Sequence, residues 1–446
     1  MASKQHSPSV LMLPWLAHGH MSPFLELAKR LAERNFHVYL CSTPINLKPI
    51  RKTLPSGQIF PSIQLIDIHL PSSPELPPHF HTTKDLPPHL MSDLKTAFEM
   101  AKPDFCNILT TLKPNLVIYD FLQPWAPEVA REENIDAVLF LTCSASTCAF
   151  LDHFCENPVL EYPFPAFEFP EMERQKFIGF MDDISNGVTN KERYLGCLAR
   201  SSSIVLIKTS REIEEKYIDY LSVLTGKEMV TVGPLLQDPT NKDEDTVIME
   251  WLSKQEASSV VFVSFGSEYF LSKEEIEEIA YGLELSKVSF IWVVRFHGGE
   301  RIRLDEALPE GFQERAGERG MVLEGWAPQA KILGHSGIGG FVSHCGWSST
   351  LEGVMFGVPI IAMPMHLDQP LNAKLVVEIG IGMEVMRENG RFNREEVAKV
   401  INEVVVEEEG REVRKKVKEL SERMREKGDE EVDLAVKKLV QLVREA

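Results

Sequence analysis

Short, almost uninterrupted apolar runs recur along the 446 residues, each followed by a longer stretch with helical spacing. The first half holds Val10–Leu13, His37–Cys41, Ile63–Ile68, Leu116–Tyr119, Val138–Leu141 and Ile204–Ile207. The second half holds Val260–Val263, Phe290–Val294, Met321–Leu323, Gly339–Val342 and Pro359–Met363. Runs so short and so apolar suit strands that lose water on both faces, as they do when helices cover both sides of a parallel sheet. Stretches such as Pro23–Arg34 and Pro124–Glu133 supply those helices. The series occurs twice, so the pattern predicts an α/β chain with two doubly wound parallel-sheet domains. The join is placed in the stretch from Val232 to Asp245, rich in Gly, Pro and charge. That gives domains 1–236 and 237–446, with the last helix of the charged segment Arg394–Ala446 packing back on the first domain.

A net charge of −19, from 47 Lys and Arg against 66 Asp and Glu, opposes binding of nucleic acid or an anionic membrane through a general field. A phosphate ligand on such a chain has to be held by local geometry. The seven cysteines form no Cys-x-x-Cys pair, and Cys143 and Cys148 lack zinc-site spacing. They read as reduced, mostly buried thiols of a cytoplasmic protein. No apolar run reaches the ~18 residues of a membrane helix. The run Val10–Ala17 has one lysine before it and a proline within it, and reads as a first strand rather than a signal sequence. No carboxylate cluster of metal-ligand type stands out, so no metal is expected. Two Pro-rich stretches, Leu70–Pro88 and Asn157–Pro170, are long for connections. They read either as lips of a substrate site or as plain solvated loops.

Ligands of an open parallel sheet bind beyond the carboxyl ends of its strands. After the first run come His18, Gly19 and His20. Ser22 suits a helix cap and Pro23 the first helical position, which would leave His20 in the strand-to-helix loop. Asp120 follows Leu116–Tyr119, and Thr142 follows Val138–Leu141. Each is ordinary by itself: a turn histidine is more often structural than catalytic, and Asp120 could cap the next helix. Together they sketch a general base that titrates near neutrality, a carboxylate to hold its tautomer, and a hydroxyl nearby. His18 is the competing candidate.

In the second half, Ser264 and Ser267 bracket Phe265 and Gly266 after one run, and Trp326 and Gln329 follow another. His344-Cys-Gly-Trp-Ser-Ser349 follows Gly339–Val342 and opens a helix, and Asp368-Gln369 follows Pro359–Met363. A helix start entered through small residues offers backbone N–H groups and a positive dipole end, so it can take a diphosphate without a basic patch. Lys331 is the only lysine or arginine between Trp326 and Gln369. Ser349-x-x-Glu352 also fits a capping box, in which Glu352 folds back on its own helix start. The glycines at Gly337–Gly340 loosely match a dinucleotide fingerprint but precede their strand, and are discounted.

From Trp326 to Gln369 the chain reads W-x-x-Q, then H-x-G-x-x-x-F-x-x-H-C-G-W, then Glu352, G-V-P and D-Q. This closely resembles the signature box of plant secondary-product glycosyltransferases, family 1 enzymes that use UDP-sugars. The G-H-x-x-P at Gly19–Pro23 and Asp120 fit the same family, and the resemblance covers essentially the whole chain. It implies a GT-B fold, in which an N-terminal acceptor-binding domain faces a C-terminal UDP-sugar-binding domain. It also implies roles by position. Trp326 would stack on uracil, with Gln329 bonding near it and Glu352 on the ribose hydroxyls. His344, Ser267 and Ser349 would contact the phosphates. Trp347, Asp368 and Gln369 would address the sugar hydroxyls, with Thr142 reaching across from the other domain. His20 would be the base and Asp120 its support. Gln369 in the last place resembles glucose-using members. The family usually has Asn where this chain has Ser348, which leaves a phosphate contact there in question.

The modest Pro-rich stretches, the wording PWLAHGHMSPFLELAKRLA and the W-S-S variant resemble the sugar-chain-elongating subgroup, of the kind that branches mogrosides. The implied reaction is inverting, metal-independent transfer of glucose from UDP-glucose to a sugar hydroxyl of a triterpenoid or flavonoid glycoside. UDP-glucose is a co-substrate, no further cofactor is implied, and the enzyme is expected to be a cytoplasmic monomer. Direct glucosylation of an aglycone, or a UDP-sugar epimerase or hydrolase of the same architecture, stands as the alternative.

Overall fold

The structure is a computed structural model that describes residues 7–53, 62–157, 160–169, 171–237, 246–296 and 303–445. The chain divides into two compact units, Met1–Leu235 with Gly428–Ala446, and Leu236–Lys427. Residues 238–245 of the expected join lie outside the described residues.

The first unit carries β1 (Ser9–Leu13), β2 (His37–Ser42), β3 (Ile63–Asp67), β4 (Leu116–Tyr119), β5 (Asp136–Leu141), the short antiparallel pair β6 (Ile184–Ser185) and β7 (Val188–Thr189), β8 (Ile204–Ile207) and β9 (Glu228–Thr231). Seven of these form a parallel sheet in the order β3-β2-β1-β4-β5-β8-β9. Its central strands β1, β4 and β5 are buried along nearly their whole length, as their apolar composition requires. Strand order reverses between β1 and β4, so a crevice opens beyond their carboxyl ends.

The second unit repeats the plan with β10 (Val260–Ser264), β11 (Ser289–Val294), β12 (Gly320–Glu324), β13 (Ile338–Ser343), β14 (Ile360–Ala362) and β15 (Gly382–Glu384). All pair in parallel, in the order β12-β11-β10-β13-β14-β15, with the switch between β10 and β13. The strand period of two separates its cores. Val261, Val263, Phe290, Trp292 and Val294 pack with helix Lys273–Ser286 on one face. Val260, Phe262, Ile291 and Val293 pack with Ile332 and Leu333 on the other.

The two Rossmann-like sheets follow the apolar pattern. What the pattern missed are β9 and β15, short edge strands that begin with Glu228 and Gly382, and the β6–β7 pair, too short to show any period. The helix Glu430–Glu445 belongs to the first unit: Ala435 and Leu439 share a core with Val230 and Val232. Arg34 anchors its start through Asp429 (2.9 Å) and Asp433 (2.6 Å).

One local expectation is corrected. The first helix spans His18–Glu33, with Ala17 as its cap and Pro23 inside it. The Ala17 carbonyl accepts from the His20 and Met21 N–H groups, closing the first turn ahead of Ser22. A proline so near the start removes few intrahelical bonds, so the helix tolerates it. His20 therefore stands in the first helical turn, and its direction is set by the helix instead of by a loop.

Candidate functional site

At the switch point of the first sheet, the β1 and β4 ends bring His20 and Asp120 together across 100 residues of sequence. His20 Nδ1 lies 2.8 Å from Asp120 Oδ2. Asp120 is fully buried, and its remaining lone pairs accept from the Trp15 N–H (3.0 Å, on Oδ2) and the Phe121 N–H (2.8 Å, on Oδ1). A carboxylate so held cannot turn, so it fixes the imidazole with Nδ1–H as donor and leaves Nε2 to exchange a proton. The His20 side chain keeps 19% of its surface. Thr142, just past β5, comes to 3.1 Å of the same Nδ1. The resemblance put Thr142 on the donor sugar; here its hydroxyl touches the His20 ring, and the residue is buried. His18, two residues earlier in the same helix, is exposed, whereas His20 is the residue that meets Asp120 at 2.8 Å.

Both Pro-rich stretches are tied down in their described parts. In the first, the Thr82 hydroxyl and the Thr83 N–H both reach the Leu16 carbonyl, next to the His20 helix. In the second, Tyr162, Phe167 and Phe169 pack around Phe150. Plain solvated loops would show neither. Residues 158, 159 and 170 of the second stretch lie outside the described residues.

At the switch point of the second sheet, His344 follows β13 and lies against Gly266, which follows β10. A Cβ added to either Gly266 or Gly346 would stand 2.5 Å from His344 Nε2. Both positions therefore need glycine, and Gly266 also has φ +74°. Burial, reinforced by the charge of His366 and only partly offset by a bond to the Ser264 backbone, pushes the His344 imidazole down to about 4. Its Nδ1 is buried without a hydrogen-bond partner among the described residues. At neutral pH His344 is thus an uncharged donor or acceptor, not a cation.

The helix Trp347–Met355 starts directly after this turn, capped by Gly346 with no side-chain cap bond. Ser349 is therefore inside the helix, and the capping-box alternative for Glu352 falls. Glu352 instead accepts from Gln329 Nε2 at 2.5 Å, and Ser349 Oγ accepts from the same nitrogen at 3.2 Å. Those bonds bring the Trp326–Gln329 segment onto the helix start. Trp326, after β12, is 66% exposed and can offer a ring face, whereas the Trp347 indole is buried, so Trp347 has its main chain to offer. Ser348 and Ser267 are half-buried beside these groups in sequence.

Asp368 caps the helix Gln369–Glu378. Gln369 Oε1 accepts from the Met365 and His366 N–H groups, and Nε2 bonds His366 Nδ1 at 3.0 Å. Gln369 thus staples its own loop and has at most one N–H left for a ligand. Cys345 (φ +62°) and Leu367 (φ +55°) hold left-handed backbone in the two loops, strain of the kind that collects at binding sites. Sequence reasoning missed two residues here. Arg295, directly after β11, donates to the Gly266 carbonyl at 3.1 Å; its place at the strand end was the available signal. Asn372 lies beyond the signature box and gave no signal of its own. Among the described residues no group of three or more His, Cys, Asp or Glu could hold a metal ion, and no helix is long and apolar enough to cross a membrane.

Comparison with known proteins gives concordant matches. Residues 227–444 match the family model described as UDP-glucoronosyl and UDP-glucosyl transferase, and residues 6–237 match a glycosyltransferase N-terminal domain. A flavanone 7-O-glucoside 2''-O-beta-L-rhamnosyltransferase of Citrus maxima is 53% identical over 447 residues, covering 99% of each chain. A mogroside IIIx synthase of Siraitia grosvenorii is 53% identical over 443 residues, covering 97% of each. The crystal structure of Glycyrrhiza uralensis UGT73P12 complexed with glycyrrhetinic acid 3-O-monoglucuronide matches with a TM-score of 0.84 and 24% identity, covering 98% of this chain and 96% of that one. That likeness establishes the GT-B fold.

Proposed function

The chain belongs to the plant family 1 UDP-sugar glycosyltransferases, and on that premise we propose that it transfers glucose from UDP-glucose, with inversion, to a sugar hydroxyl of a flavonoid or triterpenoid glycoside. The observation that carries the reading is the His20–Asp120 pair: a tautomer-fixed imidazole on a buried carboxylate, at the switch point of the first sheet. His20 Nε2 takes the proton of the acceptor hydroxyl as its oxygen attacks the anomeric carbon, and Asp120 stabilises the imidazolium that forms. The bond from the anomeric carbon to the diphosphate oxygen breaks on the opposite face, so an α-linked donor gives a β-glucoside.

On the donor side, negative charge grows on the departing UDP. Helix-start N–H groups, Ser267, Ser348, Ser349 and the neutral His344 donate to it, and the helix dipole favours it. Because His344 is uncharged, this stabilisation rests on hydrogen bonds aimed at the diphosphate. Trp326 stacks on the uracil ring, Gln329 lies beside it, and Glu352 takes the ribose hydroxyls. Trp347, Asp368 and Gln369 address the glucose. No metal takes part in this scheme.

A glycoside acceptor is supported by the Citrus relative, whose name specifies a flavanone glucoside. Glucose is supported by Gln369 at the end of the signature box. The same relative transfers rhamnose, so the donor has to be read directly. The test supplies a flavanone and its 7-O-glucoside at equal concentration with excess UDP-glucose, UDP-rhamnose or UDP-glucuronate, and identifies products by mass spectrometry and NMR. The expected product is a β-glucosyl unit on the existing sugar. Higher kcat/KM on the free aglycone overturns the branching reading, and preference for another donor overturns glucose.

A further inference from the structure

We propose that Asn372 is a positioning residue that locks the diphosphate-binding turn to the sugar-binding loop within the second unit. The inference rests on the donor-site reading above and adds a residue outside the signature box. Asn372 stands in the first turn of helix Gln369–Glu378 and is fully buried. Its side-chain nitrogen donates to the Cys345 carbonyl at 2.9 Å and to Asp368 Oδ2 at 2.8 Å. An amide NH₂ has two hydrogens in one plane, so one side chain can serve both acceptors at once.

Each partner needs that hold. Cys345 carries left-handed backbone without being glycine, a strained conformation that persists only when its surroundings enforce it. The Ser343 hydroxyl fixes the Cys345 N–H at 3.1 Å, and Asn372 fixes its carbonyl, so both ends of the residue are clamped. His344 and Gly346 flank Cys345, and the His344 ring has space only because Gly346 and Gly266 lack side chains. A peptide rotation at Cys345 would move the imidazole and the helix start together. Asp368, meanwhile, is a capping residue with no side-chain cap bond, and Asn372 fixes its carboxylate plane. Asn372 thus acts through Cys345 on the diphosphate and through Asp368 on the sugar. No other residue type of this size presents two diverging N–H donors on one uncharged nitrogen.

The experiment uses the full-length protein and the Asn372→Ala and Asn372→Ser variants. Calorimetry gives the Kd of UDP and of UDP-glucose, initial rates give kcat and KM for UDP-glucose with a fixed flavanone 7-O-glucoside acceptor, and thermal melting gives Tm. A serine hydroxyl donates once, so Asn372→Ser keeps at most one of the two bonds and serves if Asn372→Ala does not fold. The expected result is a loss of UDP affinity of about tenfold and a drop in kcat of about a hundredfold, measured well below Tm. In a cycle with Asp368→Ala, the kcat loss of the double variant should fall well short of the product of the two single losses, because the Asp368 share is common to both and only the Cys345 share adds. Wild-type Kd and kcat with a lowered Tm alone would make Asn372 merely structural and overturn the proposal. So would kcat losses that multiply across the cycle. If the wild-type protein binds no UDP at all, the donor-site reading itself fails.

Discussion

His20 and His344 both stand at the switch point of a doubly wound sheet, but on opposite sides of the reversal: His20 follows β1, and His344 follows β13, the counterpart of β4. Their surroundings differ. His20 has the buried Asp120 carboxylate at 2.8 Å and a side chain that keeps part of its surface in solvent, so a positive charge formed there is stabilised as it appears. His344 is wedged between two glycines, desolvated, and made still harder to protonate by the charge of His366, and it sits near 4. The first setting suits a base and the second a neutral hydrogen-bonding group. The fold chooses where a histidine stands; its neighbours decide which protonation state it can use.

That contrast can be broken most forcefully from the carboxylate. Asp120→Ala leaves the Phe121 N–H and the His20 ring without their acceptor and takes one of two acceptors from the Trp15 N–H. Turnover should fall by roughly 10²–10⁴, and each unsatisfied buried donor should cost about 1–3 kcal/mol of stability. Initial rates and denaturant unfolding check both. Near-normal turnover would remove Asp120 from the mechanism.

The His344 side of the contrast has a pH signature. With its folded value near 4 against 6.5 in the unfolded chain, the unfolded state takes up the proton first as pH falls. Stability is therefore lost between pH 6.5 and 4, by on the order of 3 kcal/mol. Asp152, which burial and Glu156 push up to about 6, works in the opposite direction over much of that range. The measurement is accordingly a difference: His344→Asn should gain stability relative to wild type on going from pH 7 to pH 4.5. A constant gap would show that His344 titrates normally.

Packing around the same ring comes next in size. Gly346→Ala places a methyl 2.5 Å from His344 Nε2, and overpacking of this kind costs about 1–3 kcal/mol. UDP affinity should fall with the melting temperature, whereas Gly19→Ala, where an added Cβ on the first helix meets nothing within 4 Å, should lower neither. Trp326→Ala should leave the melting temperature in place, since the ring is 66% exposed, and weaken UDP binding by about 1–3 kcal/mol. Unchanged affinity in a calorimetric titration would sink the uracil assignment.

The two regions were not equally legible in the sequence. The residues proposed for the donor side, from Trp326 to Gln369, lie in one contiguous stretch, where spacing itself carries the pattern. His20, Asp120 and Thr142 are scattered, and in the sequence they are joined by the rule that ligands gather at strand ends together with the family resemblance. What stayed hidden depends on tertiary contact. The bond from Gln329 to Glu352, which displaces the capping box, spans two elements. The clamp at Asn372 is invisible until Cys345 and Asp368 are seen on either side of it. The helix start was misplaced because Ser22-Pro23 is a good local cap signal, while the Ala17 carbonyl closes an earlier turn.

The division between a base in the first unit and a nucleotide site in the second is tested most directly by one protein, His20→Ala, in two assays. Turnover with UDP-glucose and a flavanone 7-O-glucoside should fall by roughly 10²–10⁴, while the calorimetric Kd for UDP stays at the wild-type value. Retained turnover, or a loss of UDP affinity as large as the loss of rate, would contradict it.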